Sequence, residues 1–553
     1  MNPTNVWYRW WPIGLPYSLE YPRASLYKIF EHRAEEHSDR DFIVFYDRRL
    51  RYADVLKEVK SLSSTLMDLG IQKGDRVGIY LQNSPNFAIS LLAISRSGGI
   101  AVFMNPMLKR DEIRNILEDS KPKIIITSGE LLNNLSEARE MGIKIIAGNL
   151  NYYLPEKSSV NVPDFMKQTY DLANAIRWDE AVSTRNIHEE VATGPDDPLI
   201  IAYTSGTTGI PKGCLHTNRS VIANAMASSY WRNTTPSTVE LAVAPFFHVT
   251  GLSFSLLSPI YSGSELVIMT RWNKFTFLDM IEKYHVTHVI VISTMIADLL
   301  TVEGLEKRDF SSLRFIGGGG TPIPKALAEK FERIVGLPFV EGYGMTEAMG
   351  QSHVNPPGRR KLQCIGVPQF GYDARIIDVE TGQDITGKGT GEIVISGPSL
   401  FSGYYNKPDE TEKATIILDG KKFVRTGDIG YMDDEGYFFV VDRLKRMINR
   451  SGFKVWPMEV DSLLYNHPAV KEACVVGVPD ERVGEEVKAL VVLKPDYRGK
   501  VRPEEIIEWS KKQLASYKYP RIVEFVDELP KTPSGKIDWR SIQEAEKNRV
   551  RMP

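Results

Sequence analysis

The chain has 553 residues, too many for a single hydrophobic core, and its length predicts about three to four core-sized units. Its content of 42% hydrophobic and 25% charged residues is typical of globular proteins and argues against a disordered chain. The net charge of −2 gives no electrostatic reason to expect nucleic-acid binding.

The N-terminus carries no sign of a secretory signal, because Arg9 interrupts it early and no apolar segment follows. No run of about 18 apolar residues occurs either, so no transmembrane segment is predicted. We interpret the N-terminal aromatic residues as a packed arm, with peripheral contact to a membrane interface as the alternative. They are Trp7, Tyr8, Trp10 and Trp11.

The three cysteines, Cys214, Cys364 and Cys474, lie far apart in the chain. Their spacing fits no metal site, and an odd number cannot all pair with one another. Reduced core cysteines are therefore expected, which favours a cytoplasmic location.

Helices and strands alternate in the first 130 residues. Apolar spacing predicts helices at 25–36, 52–69, 84–97 and 109–120, and strands at 41–46, 76–81, 100–103 and 123–127. Gly70 follows the second helix as a plausible C-cap. This alternation predicts βαβ units and a parallel sheet. Residues 149–164, rich in Pro, Ser and Asn, predict a surface excursion.

The alternation resumes further along, and the architecture then changes. A helix at 218–231 precedes strands at 240–245, 265–269, 288–292 and 313–316. From 362 to 439, short strands between Gly-rich turns predict a small antiparallel β unit that resembles a barrel. After a boundary near 442–445, residues 446–553 suffice for a small α+β domain. The predicted fold class is α/β.

Residues 203–213 read Tyr-Thr-Ser-Gly-Thr-Thr-Gly-Ile-Pro-Lys-Gly and follow a predicted buried strand at 198–203. Gly206 and Gly209 allow backbone N–H groups to approach an anion, and Lys212 adds a positive charge. Hydroxyl donors are added by Thr204, Ser205, Thr207 and Thr208. These are the parts of a phosphate cradle. It is not a Walker A loop, which requires Gly-Lys-Ser/Thr, and a solvated turn is the alternative.

Two further strings follow predicted strands. Residues 315–322 read Phe-Ile-Gly-Gly-Gly-Gly-Thr-Pro, where either a flat group lies against the backbone or the turn is merely tight. Residues 341–347 read Glu-Gly-Tyr-Gly-Met-Thr-Glu. Here Tyr343 offers a ring for a purine, Thr346 a hydroxyl for a phosphate and Glu347 an oxygen ligand for Mg²⁺.

Taken together, these strings resemble the signatures of the adenylate-forming enzymes, which include acyl-CoA synthetases, aryl-CoA ligases, luciferases and peptide-synthetase adenylation domains. The resemblance runs from about residue 25 to residue 541. It implies that a carboxylic acid and ATP form an acyl adenylate and pyrophosphate, after which CoA displaces AMP. It also implies a large AMP-binding domain at 1–443 and a small mobile domain at 444–553, with a hinge near Lys445.

The resemblance assigns roles residue by residue. Those assigned to the nucleotide are Thr204, Ser205, Gly206, Thr207, Thr208, Gly209, Lys212, Gly320, Thr321, Pro322, Glu341, Gly342, Tyr343, Gly344, Met345, Thr346, Asp428, Arg443 and Lys536. Magnesium is assigned to Thr204 and Glu347. Asp428 would hold the ribose hydroxyls, and Lys536 would contact the carboxylate and the bridging oxygen. Catalytic roles fall to Lys536, His248, Thr204 and Glu347.

The acid and CoA have their own assignments in the resemblance. The acyl and CoA sites comprise His248, Leu252, Gly318, Gly319, Gly452 and Lys454. His248 would contact the carboxylate or guard the CoA entrance, with a packed core histidine as the alternative. The four glycines at 317–320 would leave a roomy pocket floor. The absence of an acidic residue between Pro245 and Pro259 disfavours an amino-acid substrate, whose ammonium would be buried unpaired.

The expected substrate is a medium- to long-chain fatty acid. Apolar residues that could wall an acyl pocket, or form an ordinary buried helix, are Leu252, Phe254, Leu256 and Leu257. A short-chain, hydroxy-acid or aryl-CoA ligase is the first alternative. A luciferase-like oxygenase and a non-catalytic AMP-binding module are alternatives of other classes. Free CoA is favoured over a separate carrier protein as acceptor, and the sequence gives no indication of oligomeric state.

Overall fold

The computed structural model describes residues 3–204, 211–320, 323–451, 453–480, 482–531 and 537–551. The chain forms two compact units. The first comprises Met1–Ala374, Ile395–Val424 and Glu435–Tyr437. The second comprises Arg375–Val394, Arg425–Asp434 and Phe438–Pro553.

The strands follow in chain order. They are β1 Asp41–Phe45, β2 Arg48–Arg51, β3 Arg76–Tyr80, β4 Ile100–Phe103, β5 Ile124–Ser128, β6 Lys144–Gly148, β7 Ile176–Arg177, β8 Pro198–Thr204, β9 Lys212–Thr217, β10 Val239–Ala242, β11 Glu265–Ile268, β12 His288–Ile290, β13 Phe315–Gly319, β14 Phe339–Met345, β15 Gly350–Val354, β16 Val367–Pro368, β17 Asp373–Ile377, β18 Gly391–Ser396, β19 Gly403–Tyr404, β20 Thr415–Leu418, β21 Lys421–Met432, β22 Phe438–Arg443, β23 Ile448–Arg450, β24 Phe453–Val455, β25 Val470–Asp480, β26 Gly484–Leu493 and β27 Ile522–Phe525.

The helices alternate with these strands. They are α1 Leu26–Glu36, α2 Tyr52–Asp68, α3 Pro85–Arg96, α4 Arg110–Ser120, α5 Ser136–Glu140, α6 Asp164–Lys167, α7 Trp178–Ala181, α8 Asn218–Arg232, α9 Val249–Gly251, α10 Ser258–Ser262, α11 Lys274–Tyr284, α12 Ser293–Leu299, α13 Lys325–Val335, α14 Pro408–Lys413, α15 Pro457–Leu464, α16 Pro503–Lys511 and α17 Trp539–Arg551. A π-helical segment, Leu252–Leu257, joins α9 to α10.

Two large sheets build the first unit from the described residues. One has the strand order β16-β15-β14-β13-β12-β10-β11-β1-β2, and the other has the order β19-β9-β8-β4-β3-β5-β6-β7. The strands of the two sheet centres pair in parallel, as between β3 and β4 and between β13 and β14. The predicted βαβ units and α/β class are therefore confirmed. Parallel strands need crossover connections, which the intervening helices supply.

A third sheet has the order β17-β18-β21-β20, with β22 also paired with β21. The second unit contains a further sheet of order β24-β23-β26-β25, with β27 beside β26. Helix α15 packs on β25, and the apolar residues beneath form a separate core that includes Val475 and Val487. This confirms the predicted small α+β fold after residue 446.

The segment 149–164 has exposed residues, among them Tyr152, Glu156 and Lys157, as expected of a surface excursion, but it is also anchored in the main core. Leu150 and Tyr153 are each 2% exposed and belong to the main hydrophobic core. The Tyr153 hydroxyl contacts Glu58 and accepts a hydrogen bond from Trp178 Nε1 at 3.0 Å. Turn-forming residues dominate the composition of this stretch, and its few apolar side chains attach it to the core.

The N-terminal aromatic residues pack as an arm on the first unit. Trp7 is 1% exposed, and Trp11 makes edge-to-face contacts with Trp231 and Phe370. All three cysteines are buried and form no disulfide. In the described ranges, no helix combines the length and the apolar character needed to cross a bilayer.

Candidate active site

The β8–β9 hairpin carries the two ends of the predicted phosphate cradle. Thr204 lies opposite Lys212 in the antiparallel register, one position after Tyr203 pairs with Gly213. The tip between them is outside the described residues, and it holds the predicted Ser205, Gly206, Thr207, Thr208 and Gly209. Among the described residues, the hairpin therefore contributes the Thr204 hydroxyl and the Lys212 ammonium, on paired positions of neighbouring strands.

The Lys212 ammonium is held by two side chains that the sequence did not point to. It forms an ion pair with Glu410 on α14 and lies 5.0 Å from the centre of the Tyr404 ring. The hydrogen bond from Lys212 lowers the pKa of Glu410 to about 2. Lys212 is partly buried, and its two contacts restrict where the ammonium can lie.

Glu347 lies in the short 3-10 turn Thr346–Ala348 that follows β14, and it is 9% exposed. The Tyr404 hydroxyl donates a hydrogen bond of 2.6 Å to its Oε1. Burial and the Glu347 carboxylate raise the pKa of Tyr404 well above its ordinary value, so the hydroxyl keeps its proton and donates. Tyr404 therefore connects the predicted magnesium ligand with Lys212.

The turn Thr346–Ala348 is attached to the β8–β9 hairpin by a hydrogen bond. His216 on β9 donates from Nε2 to the Thr346 carbonyl at 2.8 Å. Burial lowers the pKa of His216 to about 4, so the ring is neutral at physiological pH. The turn also packs against β8. Thr204, Lys212, Thr346 and Glu347 are thus gathered in one region of the first unit.

Strand pairing explains why Tyr404 and Glu410 were missed. β19 pairs with β9, which places Tyr404 opposite Cys214, and the Tyr405 N–H donates to the Gly213 carbonyl at 2.8 Å. Tyr404 and Glu347 lie 57 residues apart in the sequence. No local pattern around residues 403–410 indicates this edge pairing.

Gly318 and Gly319 of the glycine run allow neighbouring backbone to pack closely against β13. β13 extends to Gly319, with Gly318 opposite Glu341 and Gly319 opposite Gly342. A Cβ at Gly318 would overlap the Val291 carbonyl oxygen, and one at Gly319 would overlap the Gly342 carbonyl oxygen. At these two glycines the neighbouring backbone fills the volume that a side chain would take, and the roomy pocket floor stays a prediction.

Gly320 and Glu341 shape the connection after β13. Gly320 has φ +85°, a left-handed conformation that favours glycine. The Glu341 carboxylate accepts the Ile323 N–H at 3.3 Å and the Gln363 N–H at 2.9 Å. Burial raises the pKa of Glu341 to about 7 despite these bonds. The Glu341 side chain thus holds two backbone segments, at Ile323 and Gln363, by hydrogen bonds. The predicted Thr321 and Pro322 lie outside the described residues.

The remaining residues of the second signature follow on β14. Tyr343 is half-buried, and its ring contacts that of His353 at 5.8 Å between centroids. Gly344 lies opposite Gln351 of β15, and a Cβ on it would overlap the Gly350 carbonyl oxygen. Gly342 and Met345 belong to the same strand.

His248 caps the helix that leads into the predicted acyl pocket. It is exposed, and its Nδ1 accepts the Thr250 N–H at 3.3 Å as the N-cap of α9. The alternative of a packed core histidine is therefore wrong. Gly251 lies so close to the loop before it that a Cβ would overlap the Pro245 carbonyl oxygen.

The apolar residues after His248 form the π-helical segment. Leu252, Leu256 and Leu257 are fully buried in the main core, and Phe254 is partly buried. Ser253 Oγ donates to the Met349 carbonyl at 2.6 Å, which attaches the segment to the start of β15. The segment thus lies beside the strand pair that carries Tyr343.

In the second unit, Asp428 and Arg443 lie opposite each other on β21 and β22. Arg443 Nε is 2.6 Å from Asp428 Oδ1, and Asp428 is 2% exposed. Lys445 is exposed in the turn Leu444–Arg446, and Lys454 Nζ is 2.8 Å from Glu380. The predicted Gly452 and Lys536 lie outside the described residues.

Comparison with known proteins identifies the family. The model of the AMP-binding enzyme matches residues 30–405, and that of the AMP-binding enzyme C-terminal domain matches residues 459–536. The chain belongs to the AMP-binding enzymes. It is an AMP-forming acyl-CoA synthetase, so its substrates are a small carboxylic acid, ATP and CoA.

Individual relatives of this AMP-binding enzyme match most or nearly all of the chain. A long-chain-fatty-acid–CoA ligase of Bacillus subtilis (strain 168) is 35% identical over 566 aligned positions that cover 99% of each chain. A 4-coumarate–CoA ligase of Vanilla planifolia is 32% identical and covers 89% of this chain and 87% of its own. ATP-bound MatB from Rhodopseudomonas palustris has a TM-score of 0.83 at 25% identity, covering 95% of this chain and 100% of its own.

Proposed function

We propose that this AMP-binding enzyme joins medium- to long-chain fatty acids to CoA. The full-length similarity to the Bacillus subtilis long-chain-fatty-acid–CoA ligase is the observation that carries the proposal. The buried leucines of the π-helical segment support it, because they would supply an apolar wall directly after His248. No carboxylate occurs between Pro245 and Pro259 to pair with the ammonium of an amino acid.

In the first half-reaction, a carboxylate oxygen of the acid forms a bond to the α-phosphorus of ATP and pyrophosphate leaves. Negative charge crowds between the acid and the phosphates in this transition state. Lys212, the donors of the hairpin tip and Lys536 would offset it, and one well-placed donor contributes about 3 kcal/mol. Asp428 would accept hydrogen bonds from the ribose hydroxyls, with Arg443 near the ribose or phosphate.

The chemistry of Glu347 and Thr204 fits Mg²⁺, which takes one or two carboxylates together with phosphate oxygens. Glu347 Oε1 already accepts a hydrogen bond from Tyr404, which orients the carboxylate. Bound there, Mg²⁺ would neutralise phosphate charge. Thr204 would present its hydroxyl from the end of β8.

In the second half-reaction, the CoA sulfur forms a bond to the acyl carbon, the bond to AMP breaks and the thiol loses its proton. The two steps need different groups in one place. Rotation of a C-terminal domain, residues 444–553, about Lys445 would deliver Lys536 first and the Gly452–Lys454 loop second. His248, exposed at the start of α9, would contact the carboxylate or border the CoA entrance. A cytoplasmic location stays a prediction.

The test is AMP release with CoA over unbranched acids of graded length, with cinnamate-like acids included. Each methylene buried against an apolar wall contributes about 0.8 kcal/mol, so kcat/KM should rise severalfold per methylene until the pocket is filled. A maximum in the medium- to long-chain range supports the proposal. A maximum below about C4, or with cinnamate-like acids, would overturn the substrate assignment.

A further inference from the structure

A buried carboxylate in the second unit connects the two sides of the expected hinge. Asp442 lies on β22, before the hinge residue Lys445, and its side chain is 0% exposed. Its Oδ2 accepts a hydrogen bond from the Met458 N–H at 2.6 Å. Met458 lies in the first turn of α15, which begins after the hinge at Pro457. One hydrogen bond therefore joins the strand before Lys445 to the helix after it.

The contacts of Arg446 lie on the far side of the hinge. Arg446 Nη2 donates to Asp461 Oδ2 on α15 at 2.7 Å and to the Val475 carbonyl at 3.1 Å. Asp461 Oδ1 in turn accepts the Val475 N–H at 2.6 Å. Arg446, α15 and β25 are thus linked to one another after Lys445. Asp442, whose Oδ1 is 3.9 Å from Arg446 Nε, joins this network from before the hinge.

A second contact across the hinge is exposed to solvent. Lys454 Nζ is 2.8 Å from Glu380 Oε1, and the two side chains are 36% and 73% exposed. Exposed ion pairs contribute little to stability and are screened by salt. The Asp442 carboxylate is shielded from water, so its charge-assisted hydrogen bond is stronger, and breaking it leaves a buried charge without that donor. Of the two contacts, that of Asp442 is therefore the one that resists rotation.

The packing of β22 agrees with this hydrogen bond. β22 contacts α15, and the compact second unit runs without interruption through residues 438–553, on both sides of Lys445. Rotation about Lys445, as in the proposed function, would move α15 away from β22 and break the bond between Asp442 and Met458. The carboxylate would then need another donor or water.

We propose that Asp442 is a positioning residue that holds the C-terminal domain in one of its two orientations and so sets the balance between the two half-reactions. Loss of the bond to Met458 removes stabilisation from that orientation alone, and the population shifts toward the other. The half-reaction that needs the held orientation then slows relative to the other half-reaction. This inference rests on the proposed function, because it takes the domain to rotate about Lys445.

Single-turnover kinetics of the full chain provide the first test. Pyrophosphate release from ATP and the best acid of the graded series measures the first step, and thioester formation from supplied acyl adenylate and CoA measures the second. Asp442→Ala should change the ratio of the two rate constants by about tenfold, because a charge-assisted hydrogen bond stabilises one orientation only. A role in folding alone would slow both steps alike, so an unchanged ratio would overturn the inference.

Asp461→Asn is the matched control. Asp461 is also a largely buried carboxylate beside Arg446, but its contacts with Arg446 and Val475 both lie after the hinge. Its replacement should lower stability and keep the ratio close to that of the wild type. Asp442→Asn, which keeps the shape of the side chain, replaces the alanine variant if circular dichroism shows that the latter is misfolded. It should still change the ratio by about threefold, because the acceptor loses its charge.

Distances between spin labels report the orientation itself, independently of any effect on Arg443. Labels on Glu118→Cys in α4 and Glu508→Cys in α16 replace side chains that are 62% and 60% exposed. The native cysteines are buried and should not react. The substrate-free wild type should show one dominant distance. Its population relative to the other distance should fall about tenfold in Asp442→Ala and stay unchanged in Asp461→Asn.

Identical distance distributions in the wild type and Asp442→Ala would overturn the inference. If the wild type keeps one distance when substrate-free, with ATP, and with acyl adenylate and CoA, rotation about Lys445 fails and the role of Asp442 fails with it. The identity of the acid does not enter the substrate-free distances. A chain-length maximum below about C4 would therefore overturn the fatty-acid assignment alone, while the labels still decide the role of Asp442.

Discussion

The Tyr404 hydroxyl donates a 2.6 Å hydrogen bond to the Glu347 carboxylate, and the ring of the same tyrosine lies 5.0 Å from the Lys212 ammonium. One side chain thus connects the carboxylate proposed to hold Mg²⁺ with the cation proposed to bind phosphate. Because β19 is held on β9 by backbone pairing, Tyr404 has little freedom to move away. We therefore treat it as a positioning residue.

Tyr404→Phe removes the hydroxyl and keeps the ring. The Glu347 carboxylate loses an orienting donor, so the Mg²⁺ concentration for half-maximal activity should rise about tenfold while kcat at saturating Mg²⁺ changes little. Titration of AMP release with Mg²⁺ measures this. Tyr405→Phe, at the neighbouring tyrosine, is the control and should leave the titration unchanged. An identical half-saturation for Tyr404→Phe would show that the hydrogen bond does not orient a metal ligand.

Glu410→Gln should release Lys212. The Glu410 carboxylate pairs with the Lys212 ammonium, so a phosphate that binds Lys212 must compete with it. Without that competition, KM for ATP should fall about two- to fivefold, and less at high salt. Glu412→Gln on the same helix is the control. A rise in KM for ATP would instead mean that Glu410 holds Lys212 in its productive position.

Glu341 predicts a pH dependence of stability. Its pKa is about 7 in the folded chain against an ordinary value of 4.5, because burial disfavours the charged form. Between these two pH values the folded state binds a proton that the unfolded state has lost. Stability should therefore fall as pH rises from about 4.5 to 7, by about 1–3 kcal/mol in total.

Glu341→Gln imitates the protonated form and should flatten this fall. Urea unfolding at several pH values between 4.5 and 8 measures it. Glu329→Gln, at a partly exposed position on α13, should retain the wild-type slope. Parallel curves for the wild type and Glu341→Gln would mean that Glu341 titrates normally.

The buried ion pair between Arg232 and Glu240 predicts a non-additive stability effect. Their side chains are 1% and 0% exposed, and burial raises the pKa of Glu240 even beside the guanidinium. Arg232→Met leaves the carboxylate buried and unpaired, at a cost of about 3–5 kcal/mol. The double variant Arg232→Met with Glu240→Gln should recover much of that loss in urea unfolding. Additive losses would show that the pair does not interact.

Lys536→Ala should separate the half-reactions. The pyrophosphate-forming step should slow by about 10²–10³-fold, because a donor to the developing charge is lost. Thioester formation from supplied acyl adenylate should be largely retained. Lys531→Ala is the control in the same segment, where Lys531 pairs with Glu472 at 2.8 Å. Equal losses of pyrophosphate formation and of thioester formation in single-turnover assays would show that Lys536 does not act specifically in the first half-reaction.

The features that could be predicted from the sequence are those that depend on near neighbours along the chain. Alternating apolar spacing determined the βαβ rhythm, and the helix predicted at 218–231 is α8, Asn218–Arg232. The signature strings determined the family and the reaction, because each holds its glycines, hydroxyls and charges within a few residues. Their order along the chain adds to that specificity.

Only the tertiary structure decided which distant side chains meet. Tyr404 reaches Glu347, and Glu410 reaches Lys212, because β19 and α14 come to lie beside the β8–β9 hairpin. Local spacing carries no information on such contacts, since hydrogen bonds and burial depend on distance in space. For that reason the chain's chemistry could be predicted from its motifs, whereas the residues that orient it required the fold.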